Sequence, residues 1–571
     1  MNIIPEYPRP TLVRQSFISL NGEWDFKDEW TNGVEYPSKN AKKIIVPFAP
    51  ETKASGIGEV EKSKFFTYGK RFTYNKKKSK RLLLHFEGVD YDSALYVNNV
   101  FVSMNTGAYH RYTTDITDYV KDGENEIVLS VYDDDSRFQV RGKQRWENHV
   151  YGCFYVPTSG IYKPVWMEEV SSTYISNLTI RTSMDKANLV LDFNGKIKAN
   201  TKLSITVTDK EGNKVYHTSK KVTSNNVKLN VKFDDIHLWD VNDPYLYDLH
   251  IKVTTDNKIL DEVASYIGFR TMEAKGDRIY LNGKEIFLKM ILDQGYFKDS
   301  GLTPNGKEDL EKDVSLIKQM GFNGVRKHQK IEDERFYSLC DEYGLVCFLE
   351  MPSMYTYSEE GAASFIKQWM KIIKQYDHHP SIVAYVPFNE TWGINDLEFI
   401  QRKDIQAFVN HVVDITKKYD STRFVISDDG WEHTNSDILT LHEYMQDAKV
   451  FKDNYSFEQA TTASPIHYRK PYCPGYKYNG QPIVFSEFGG ASFEQDAKGD
   501  AWGYGNIHDE KEFLAGIKSL VDMLHSLPYC RGYCYTQLTD VEQEVNGLLH
   551  VDRTPKANID EIRSIIEHGG K

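Results

Sequence analysis

Two glutamates in this sequence each end a buried apolar run, and together they could hydrolyse a glycosidic bond. The run SIVAYVPFNE (381–390) ends in Asn389 and Glu390, and the run PIVFSE (482–487) ends in Glu487. Glycosidases that retain anomeric configuration use two carboxyl groups about 5–5.5 Å apart, one as the nucleophile and one as the proton donor. The nucleophile must stay ionised, which a nearby arginine favours, whereas the acid needs a raised pKa.

Other apolar runs in the chain also end in polar side chains. A single polar residue at a strand end is most often a helix N-cap or a solvated loop residue. Several such ends in one chain favour a shared polar pocket over that interpretation. The residues concerned, besides those of the two glutamate runs, are Arg326, Glu350, His442, Glu443 and Tyr444.

Eight apolar runs, separated by segments of helical periodicity, would position these residues. Leu310, Val314 and Ile317 recur at helix spacing, as do Ile405 and Phe408. This alternation indicates parallel strands with crossover helices. Eight units in about 290 residues fit a (β/α)8 TIM barrel, whose active site lies at the C-terminal strand ends. The runs are EIFLKMIL (285–292), FNGVR (322–326), LVCFLE (345–350), SIVAYVPFNE (381–390), RFVIS (423–427), ILTLH (438–442), PIVFSE (482–487) and RGYCYTQ (531–537).

The chain before the barrel has a different pattern, with short alternating runs divided by turn signals. Such a pattern is typical of antiparallel β-sandwiches. We predict a jelly-roll-like, sugar-binding-like β-sandwich over residues 1–172, an Ig-like β-sandwich over 173–273 and the catalytic barrel over 274–571.

The composition excludes several classes of partner. Binding to nucleic acid or to an anionic membrane needs clustered Lys and Arg residues, and the net charge of −12 argues against such a surface. No apolar window reaches the roughly 20 residues of a membrane helix, and the N-terminal residues lack a signal-peptide pattern, so we expect a cytoplasmic protein. The six cysteines and the polar group Asp428, Asp429, Glu432 and His433 have no metal-ligand spacing. We therefore expect no metal and no cofactor.

Motifs along nearly the whole chain resemble those of glycoside hydrolase family 2. The resemblance implies an exo-acting retaining β-glycosidase with a carbohydrate substrate, Glu390 as the acid/base and Glu487 as the nucleophile. It also implies that Asn389 binds the sugar 2-hydroxyl, that Arg326 and Tyr444 hold Glu487, and that Trp392 shapes the aglycone side. The motifs are LNGEWDF (20–26), YVNN (96–99), GKQRW (142–146), TSGIYKPVW (158–166), GFR (268–270), DERFYSLCDEYGL (333–345), HPSIV (379–383), NETW (389–392) and SEFGG (486–490).

The resemblance also implies that the N-terminal sandwich closes the pocket, through the loop GKQRWENHVYGC (142–153). It allows a homo-oligomer, either a dimer or a tetramer. Because the barrel strand ends differ from the usual galactosidase pattern, further substrate contacts are expected from strands one, two, six and eight. These residues are Asp293, His328, His442, Gln537 and Asp540.

The identity of the sugar that is removed, the glycone, is the feature that the sequence determines least. The NETW motif favours a β-galactoside, with a furanoside or an arabinoside as further family activities. A β-glucuronide is the second candidate, although the Asn-x-Lys pair of family glucuronidases is replaced by Asn546, Gly547 and Leu548; Arg469 or Lys470 would then supply the cation. Because function resides in sites and not in folds, a non-catalytic carbohydrate-binding protein and an interaction scaffold remain alternatives.

Overall fold

The computed structural model describes residues 6–29, 35–38, 40–58, 64–462, 469–493 and 501–570. Two β-sandwiches precede an eight-stranded parallel barrel surrounded by helices. The predicted fold class is therefore confirmed. Within these ranges no helix is both long enough and apolar enough to cross a membrane.

The first sandwich packs a six-stranded sheet, in the order β3-β2-β4-β10-β7-β8, on a four-stranded sheet, in the order β1-β12-β5-β9. In β10 the side chains of Ile127, Leu129 and Val131 alternate onto the core, as expected for a strand with one buried face. The strands are β1 (Phe17–Ser19), β2 (Gly22–Lys27), β3 (Lys42–Val46), β4 (Phe65–Tyr74), β5 (Lys80–Phe86), β6 (Val89–Asp90), β7 (Asp92–Val97), β8 (Val100–Thr106), β9 (Tyr112–Asp115), β10 (Gly123–Tyr132), β11 (Gly160–Ile161) and β12 (Val165–Ser171).

The second sandwich has three strands in the order β13-β14-β17 and four in the order β16-β15-β20-β21. Two short antiparallel elements accompany this sandwich. The hairpin β18-β19 lies between β17 and β20, and the small sheet β22-β23-β24 follows β21. The strands are β13 (Tyr174–Thr182), β14 (Lys186–Asn194), β15 (Thr201–Thr208), β16 (Lys214–Lys221), β17 (Asn226–Lys232), β18 (Trp239–Asp240), β19 (Asp243–Pro244), β20 (Tyr247–Thr255), β21 (Lys258–Ile267), β22 (Met272–Lys275), β23 (Arg278–Leu281) and β24 (Lys284–Glu285).

Each of the eight predicted runs forms a barrel strand, in the order β29-β28-β27-β26-β25-β32-β31-β30. The fifth strand has only two residues, and the N–H of Asp437 donates to the carbonyl of Val425 at 3.0 Å between the fifth and sixth strands. The strands are β25 (Leu288–Asp293), β26 (Gly324–Lys327), β27 (Val346–Glu350), β28 (Ile382–Val386), β29 (Phe424–Val425), β30 (Leu439–Glu443), β31 (Ile483–Phe488) and β32 (Cys530–Tyr535).

Five of the α-helices in the described ranges begin at a side-chain cap, and the longer helices bury one apolar face. Ser358 caps α3, accepting a hydrogen bond from the N–H of Gly361 at 2.9 Å, and Phe365, Trp369 and Ile372 face the core. The α-helices are α1 (Lys307–Gln319), α2 (Glu334–Tyr343), α3 (Glu359–Tyr376), α4 (Lys403–Tyr419), α5 (Ala448–Asn454), α6 (Phe457–Thr462), α7 (Glu510–Ser526) and α8 (Ile559–His568), and Lys53–Ser55, Trp392–Ile394 and Asp396–Ile400 form 3-10 turns.

Candidate active site

The two glutamates meet at the C-terminal mouth of the barrel, with a histidine between them. Glu390 follows β28 and Glu487 lies within β31, and one carboxyl oxygen of each lies within 4.8 Å of the other. His442 Nδ1 is 2.5 Å from Glu390 Oε1, and His442 Nε2 is 3.5 Å from Glu487 Oε1. Carboxyl groups this close together match the spacing that a retaining glycosidase requires.

Glu487 is held in its ionised form by its hydrogen-bond donors. Arg326 Nη1 donates to Oε1 at 2.7 Å, and the Tyr444 hydroxyl donates to Oε2. Burial favours the neutral acid, but the positive charges of His442 and Arg326 outweigh it and lower the pKa of Glu487 to about 2. A carboxylate in this environment can act as a nucleophile at neutral pH.

Arg326, fully buried at the end of β26, connects three carboxylates and one amide from four other strand ends. It forms ion pairs with Glu350 at 2.7 Å and with Asp429 at 2.9 Å, besides the pair with Glu487. Its Nη2 donates to Asn389 Oδ1 at 2.6 Å. The side-chain nitrogen of Asn389, Nδ2, makes no hydrogen bond to another residue of the described ranges, so it is available to a ligand.

His442 carries a positive charge between the two glutamates. Burial disfavours the imidazolium, but the negative charges of Glu487 and Glu390 raise the pKa of His442 to about 10. Gly430 permits this placement, because a Cβ atom there would lie 2.6 Å from His442 Nδ1. The glycine also has a φ of 103°, a conformation that L side chains rarely adopt.

By ligand type and distance, Glu390, His442 and Glu487 are the one group among the described residues that could hold a metal ion. In this structure, however, His442 is ion-paired with both glutamates. Both oxygens of Glu487 also accept hydrogen bonds from protein donors. We therefore interpret the three side chains as a group joined by ion pairs through His442.

The backbone at the end of the fourth strand is strained. Glu390 and Thr391 have φ values of 56° and 59°, which are rare for residues with a side chain and rarer still for a β-branched one. Trp431 Nε1 donates to the Glu390 carbonyl at 2.7 Å, and the Glu390 N–H donates to the Asp429 carbonyl at 2.8 Å. These contacts fix the direction in which the Glu390 carboxyl points. Nothing in the sequence indicated them.

Trp392 lies on the rim of this site, with 47% of its surface exposed. The Arg469 guanidinium packs 5.6 Å from the Trp392 ring and 5.2 Å from that of Trp431. Arg469 also pairs with Glu432 and Asp396, so its charge is already neutralised. The neighbouring His467 and Tyr468 of the loop 467–478 lie outside the described residues.

Several expected substrate contacts have protein partners instead. Asp293 is fully buried and pairs with Lys327 at 2.7 Å, and Asp540 pairs with Lys556 at 2.7 Å. Gln537 Oε1 accepts a hydrogen bond from Gln294 at 2.8 Å. A direct role for these residues in sugar binding stays a prediction.

His328 contacts the ion-pair network around Arg326. Its Nδ1 is 2.9 Å from Glu350 Oε1 and 3.2 Å from Arg326 Nη2. Burial, together with the charges of Lys143 and Arg326, lowers the pKa of His328 well below its usual range. A contact between this neutral histidine and substrate also stays a prediction.

The first sandwich reaches the barrel mouth through the loop that was expected there. The Tyr355 hydroxyl donates to the Gly142 carbonyl at 2.8 Å, and Trp502 Nε1 donates to the Gly152 carbonyl at 3.0 Å. The Tyr155 hydroxyl donates to Glu544 Oε2.

Two residues of this region were not predicted from the sequence. The Tyr504 ring stacks on Tyr444 with 3.4 Å between the ring centroids, and Lys143 lies within electrostatic range of Glu390 and Glu544. The GKQRW motif, which contains Lys143, was the available signal for the second of them.

Family models match three consecutive parts of the chain. The model described as "Glycosyl hydrolase 2 galactose-binding domain-like" matches residues 39–152, and "Glycosyl hydrolases family 2" matches residues 173–270. The model "Glycosyl hydrolases family 2, TIM barrel domain" matches residues 272–568, more than half of the chain.

The curated relatives include proteins named as β-glucuronidases and proteins named as β-galactosidases. A protein of Formosa agariphila described as "Putative beta-glucuronidase" is 29% identical over 359 residues, which cover 61% of this chain and 42% of that protein. A "Beta-galactosidase" of Thermoanaerobacter pseudethanolicus is 26% identical over 448 residues, which cover 75% of this chain and 58% of that protein. The chain thus spans less than two thirds of the length of these relatives.

Among solved structures, a β-glucuronidase of Bifidobacterium dentium, complexed with coumarin-3-O-glucuronide, superimposes with a TM-score of 0.80. The match covers 98% of this chain and 99% of that protein, at 18% sequence identity. At this level of identity the similarity establishes the fold alone.

Proposed function

Because the chain belongs to glycosyl hydrolase family 2, we propose that it is an exo-acting, retaining β-glycosidase that removes terminal sugars by double displacement. The single observation that carries the proposal is the pair Glu390 and Glu487, with carboxyl oxygens within 4.8 Å and unequal surroundings. Two carboxylates in different environments can divide the roles of nucleophile and acid/base.

In the first step, Glu487 attacks the anomeric carbon while Glu390 protonates the departing glycosidic oxygen. The bond to the aglycone breaks, and a covalent glycosyl-enzyme ester forms on Glu487. As Glu390 gives up its proton, the His442 Nδ1–H, 2.5 Å from Glu390 Oε1, stabilises the new carboxylate. In the second step, Glu390 takes a proton from water, which displaces the sugar from Glu487.

The surrounding residues would orient the sugar in this mechanism. Arg326 fixes Asn389 by its side-chain carbonyl oxygen, which leaves the side-chain N–H groups to donate to the sugar 2-hydroxyl. Trp392, exposed at the rim, offers an apolar face to the aglycone. Substrate contacts that strengthen in the transition state contribute directly to catalysis.

A β-galactoside is the glycone that we propose first. The relatives named β-galactosidase support it, as does the absence of a lysine at Leu548, where family glucuronidases carry one. A β-glucuronide is the second candidate, supported by the relative named "Putative beta-glucuronidase".

The test is hydrolysis of aryl glycosides by the purified protein and by Glu487→Ala. The panel contains the β-galactoside, β-glucuronide, β-mannoside, β-glucoside, β-galactofuranoside and α-L-arabinosides. We expect one glycone to be hydrolysed, and the variant to be slower by more than about 10³-fold. Glu124→Ala, an exposed strand residue of the first sandwich, is the control and should match the parent.

Two results would contradict the proposal. Undiminished hydrolysis by Glu487→Ala would exclude Glu487 as the nucleophile. Calorimetric binding of a sugar with no product formed from any glycoside would identify a carbohydrate-binding protein instead.

A further inference from the structure

A lysine and a glutamate from different domains lie beside the catalytic pair with no role in the mechanism above. Lys143 belongs to the loop of the first sandwich, and Glu544 belongs to the loop that follows β32. The two loops are in direct contact, because the Tyr155 hydroxyl donates to Glu544 and Gln543 Nε2 donates to the Gly152 carbonyl at 2.6 Å.

Lys143 carries a charge that the protein does not pair. Within the described part of the chain its ammonium forms no ion pair shorter than 4.0 Å, although its side chain is half-buried. Burial disfavours the ammonium, but the Cys153 thiol and the Tyr355 hydroxyl beside it, with the acids Glu544 and Glu390, raise the pKa of Lys143. A partly desolvated charge without an ion-pair partner is costly, so a binding role would explain its retention.

Glu544, in contrast, is anchored by several donors. Its Oε1 accepts a hydrogen bond from Asn546 Nδ2 at 3.0 Å, and its Oε2 accepts from Tyr155 and, at 3.4 Å, from Gln294. Gln537 Nε2 in turn donates to Asn546 Oδ1 at 2.7 Å. This network fixes the carboxyl group in one orientation, as a preorganised binding group requires.

Both residues are linked to the surroundings of the catalytic glutamates. Lys143 lies within electrostatic range of Glu390, and the backbone on either side of Glu544 is hydrogen-bonded to Trp502, two residues before Tyr504. Tyr504, which stacks on Tyr444, lies within electrostatic range of Glu544, Glu487 and Glu390, and these acids together with burial raise its pKa. Tyr504 thus lies near both the catalytic pair and Glu544.

We propose that Lys143 and Glu544 form a donor and acceptor pair that binds hydroxyl groups of the glycone and so selects a neutral sugar. The inference rests on the proposed function. A hydroxyl group donates one hydrogen bond and accepts others, so an ammonium and a carboxylate that are not ion-paired with each other can serve as its donor and its acceptor. The first sandwich then contributes to specificity as well as to closing the pocket.

The charges around the pocket favour a neutral glycone over a uronic acid. A substrate carboxylate bound by Lys143 would also face Glu390, Glu487 and Glu544. Other cations near the barrel mouth, Arg326, His442 and Arg469, already form ion pairs. Like charges brought this close together oppose binding.

The experiment compares the parent with Lys143→Met and Glu544→Gln on the preferred aryl glycoside and its monodeoxy analogues. Loss of a hydrogen bond from a charged group should lower kcat/KM by about 10- to 100-fold, mainly through KM. For one deoxy analogue the parent should lose a similar factor, while Lys143→Met should not discriminate between the sugar and that analogue. Lys78→Met, an exposed lysine of the same sandwich, is the control.

The outcomes separate the two proposals. If the parent hydrolyses no glycoside, the proposed function fails. If the parent is active but hydrolyses every monodeoxy analogue within threefold of the full sugar, only the donor and acceptor pair is excluded, and this measurement does not depend on any variant folding. A preference for a uronide that disappears in Lys143→Met would replace the neutral-sugar assignment with an anion site.

Discussion

His442 is the charged residue that lies between Glu390 and Glu487. Its imidazolium lies 2.5 Å from one glutamate and 3.5 Å from the other, so it contributes the proton that two adjacent carboxylates would otherwise have to share. A positive charge there keeps Glu487 ionised. The pair is therefore better described as a coupled group of three than as two independent acids.

The raised pKa of His442 predicts a pH dependence of stability. The folded-state pKa of about 10 exceeds the usual value of 6.5, so the ion pairs stabilise the protein fully below pH 6.5 and are lost as the pH rises through 10. We expect the Tm of the parent to fall by a few degrees more between pH 6.5 and pH 10 than the Tm of His442→Gln. Differential scanning calorimetry at the two pH values measures this.

The control for this prediction is His433→Gln. His433 is also buried, but burial lowers its pKa to about 4, so it is neutral throughout that pH range. Its substitution should shift the Tm equally at both pH values. Parallel curves for the parent and His442→Gln would mean that His442 is not charged.

At the residue scale, the sequence identified groups that end strands and missed groups that depend on other elements. Glu390 and Glu487 could be found because a strand end in a barrel faces the active site whatever the loops do. The GKQRW motif contains Lys143, but the position of this residue depends on how a sandwich loop packs against the barrel, which the motif does not encode. Asp293 was expected to face the sugar because it ends a strand, but an adjacent lysine neutralises it inside the protein.

At the scale of elements, hydrophobic periodicity predicted all eight barrel strands. Their ends were less certain, since the fifth strand reaches only from Phe424 to Val425. The strained backbone of Glu390 and Thr391 arises from hydrogen bonds with the segment after the fifth strand, which no local pattern encodes. Strand identity is thus a local property, whereas the direction of a catalytic side chain depends on neighbouring elements.

The loop that carries Lys143 depends on a glycine. Gly142 has a φ of 63°, and a Cβ atom there would lie 2.4 Å from the carbonyl oxygen of Gln329, a backbone atom in the loop after β26. We expect Gly142→Ala to displace this loop and to lower kcat/KM by about tenfold or more, because small misplacements at an active site have large kinetic costs. Steady-state kinetics on the preferred glycoside checks this.

Gly212→Ala is the matched control. Gly212 has a similar φ of 82° but no atom within 4 Å of an added Cβ, so the substitution introduces the backbone strain without the clash. It should lower stability by about 1 kcal/mol and leave kcat/KM unchanged. Equal kinetics for the two variants would show that the contact at Gly142 does not position the loop.

At the scale of the whole molecule, buried ion pairs join the first sandwich to the barrel. Arg111 Nε lies 2.7 Å from Glu87 in the sandwich, and its Nη2 lies 2.5 Å from Glu334 at the start of α2. The Glu334 side chain is fully buried, and Thr11 also donates to it. Composition and periodicity predicted that the domains exist, but the pairing of charges across their interface requires the assembled structure.

Removing Arg111 should therefore destabilise the protein strongly. Arg111→Met keeps much of the side-chain volume but leaves Glu334 buried with Thr11 as its remaining close donor, and an uncompensated buried charge costs about 3–5 kcal/mol. Denaturant unfolding should show this loss as a lower free energy of unfolding than that of the parent. Lys518→Met, which removes an exposed pair with Asp522 on α7, should cost less than about 1 kcal/mol. If Arg111→Met unfolds at the same denaturant concentration as Lys518→Met, the interface is held by its apolar contacts, and the position of Lys143 over the barrel mouth does not depend on this ion pair.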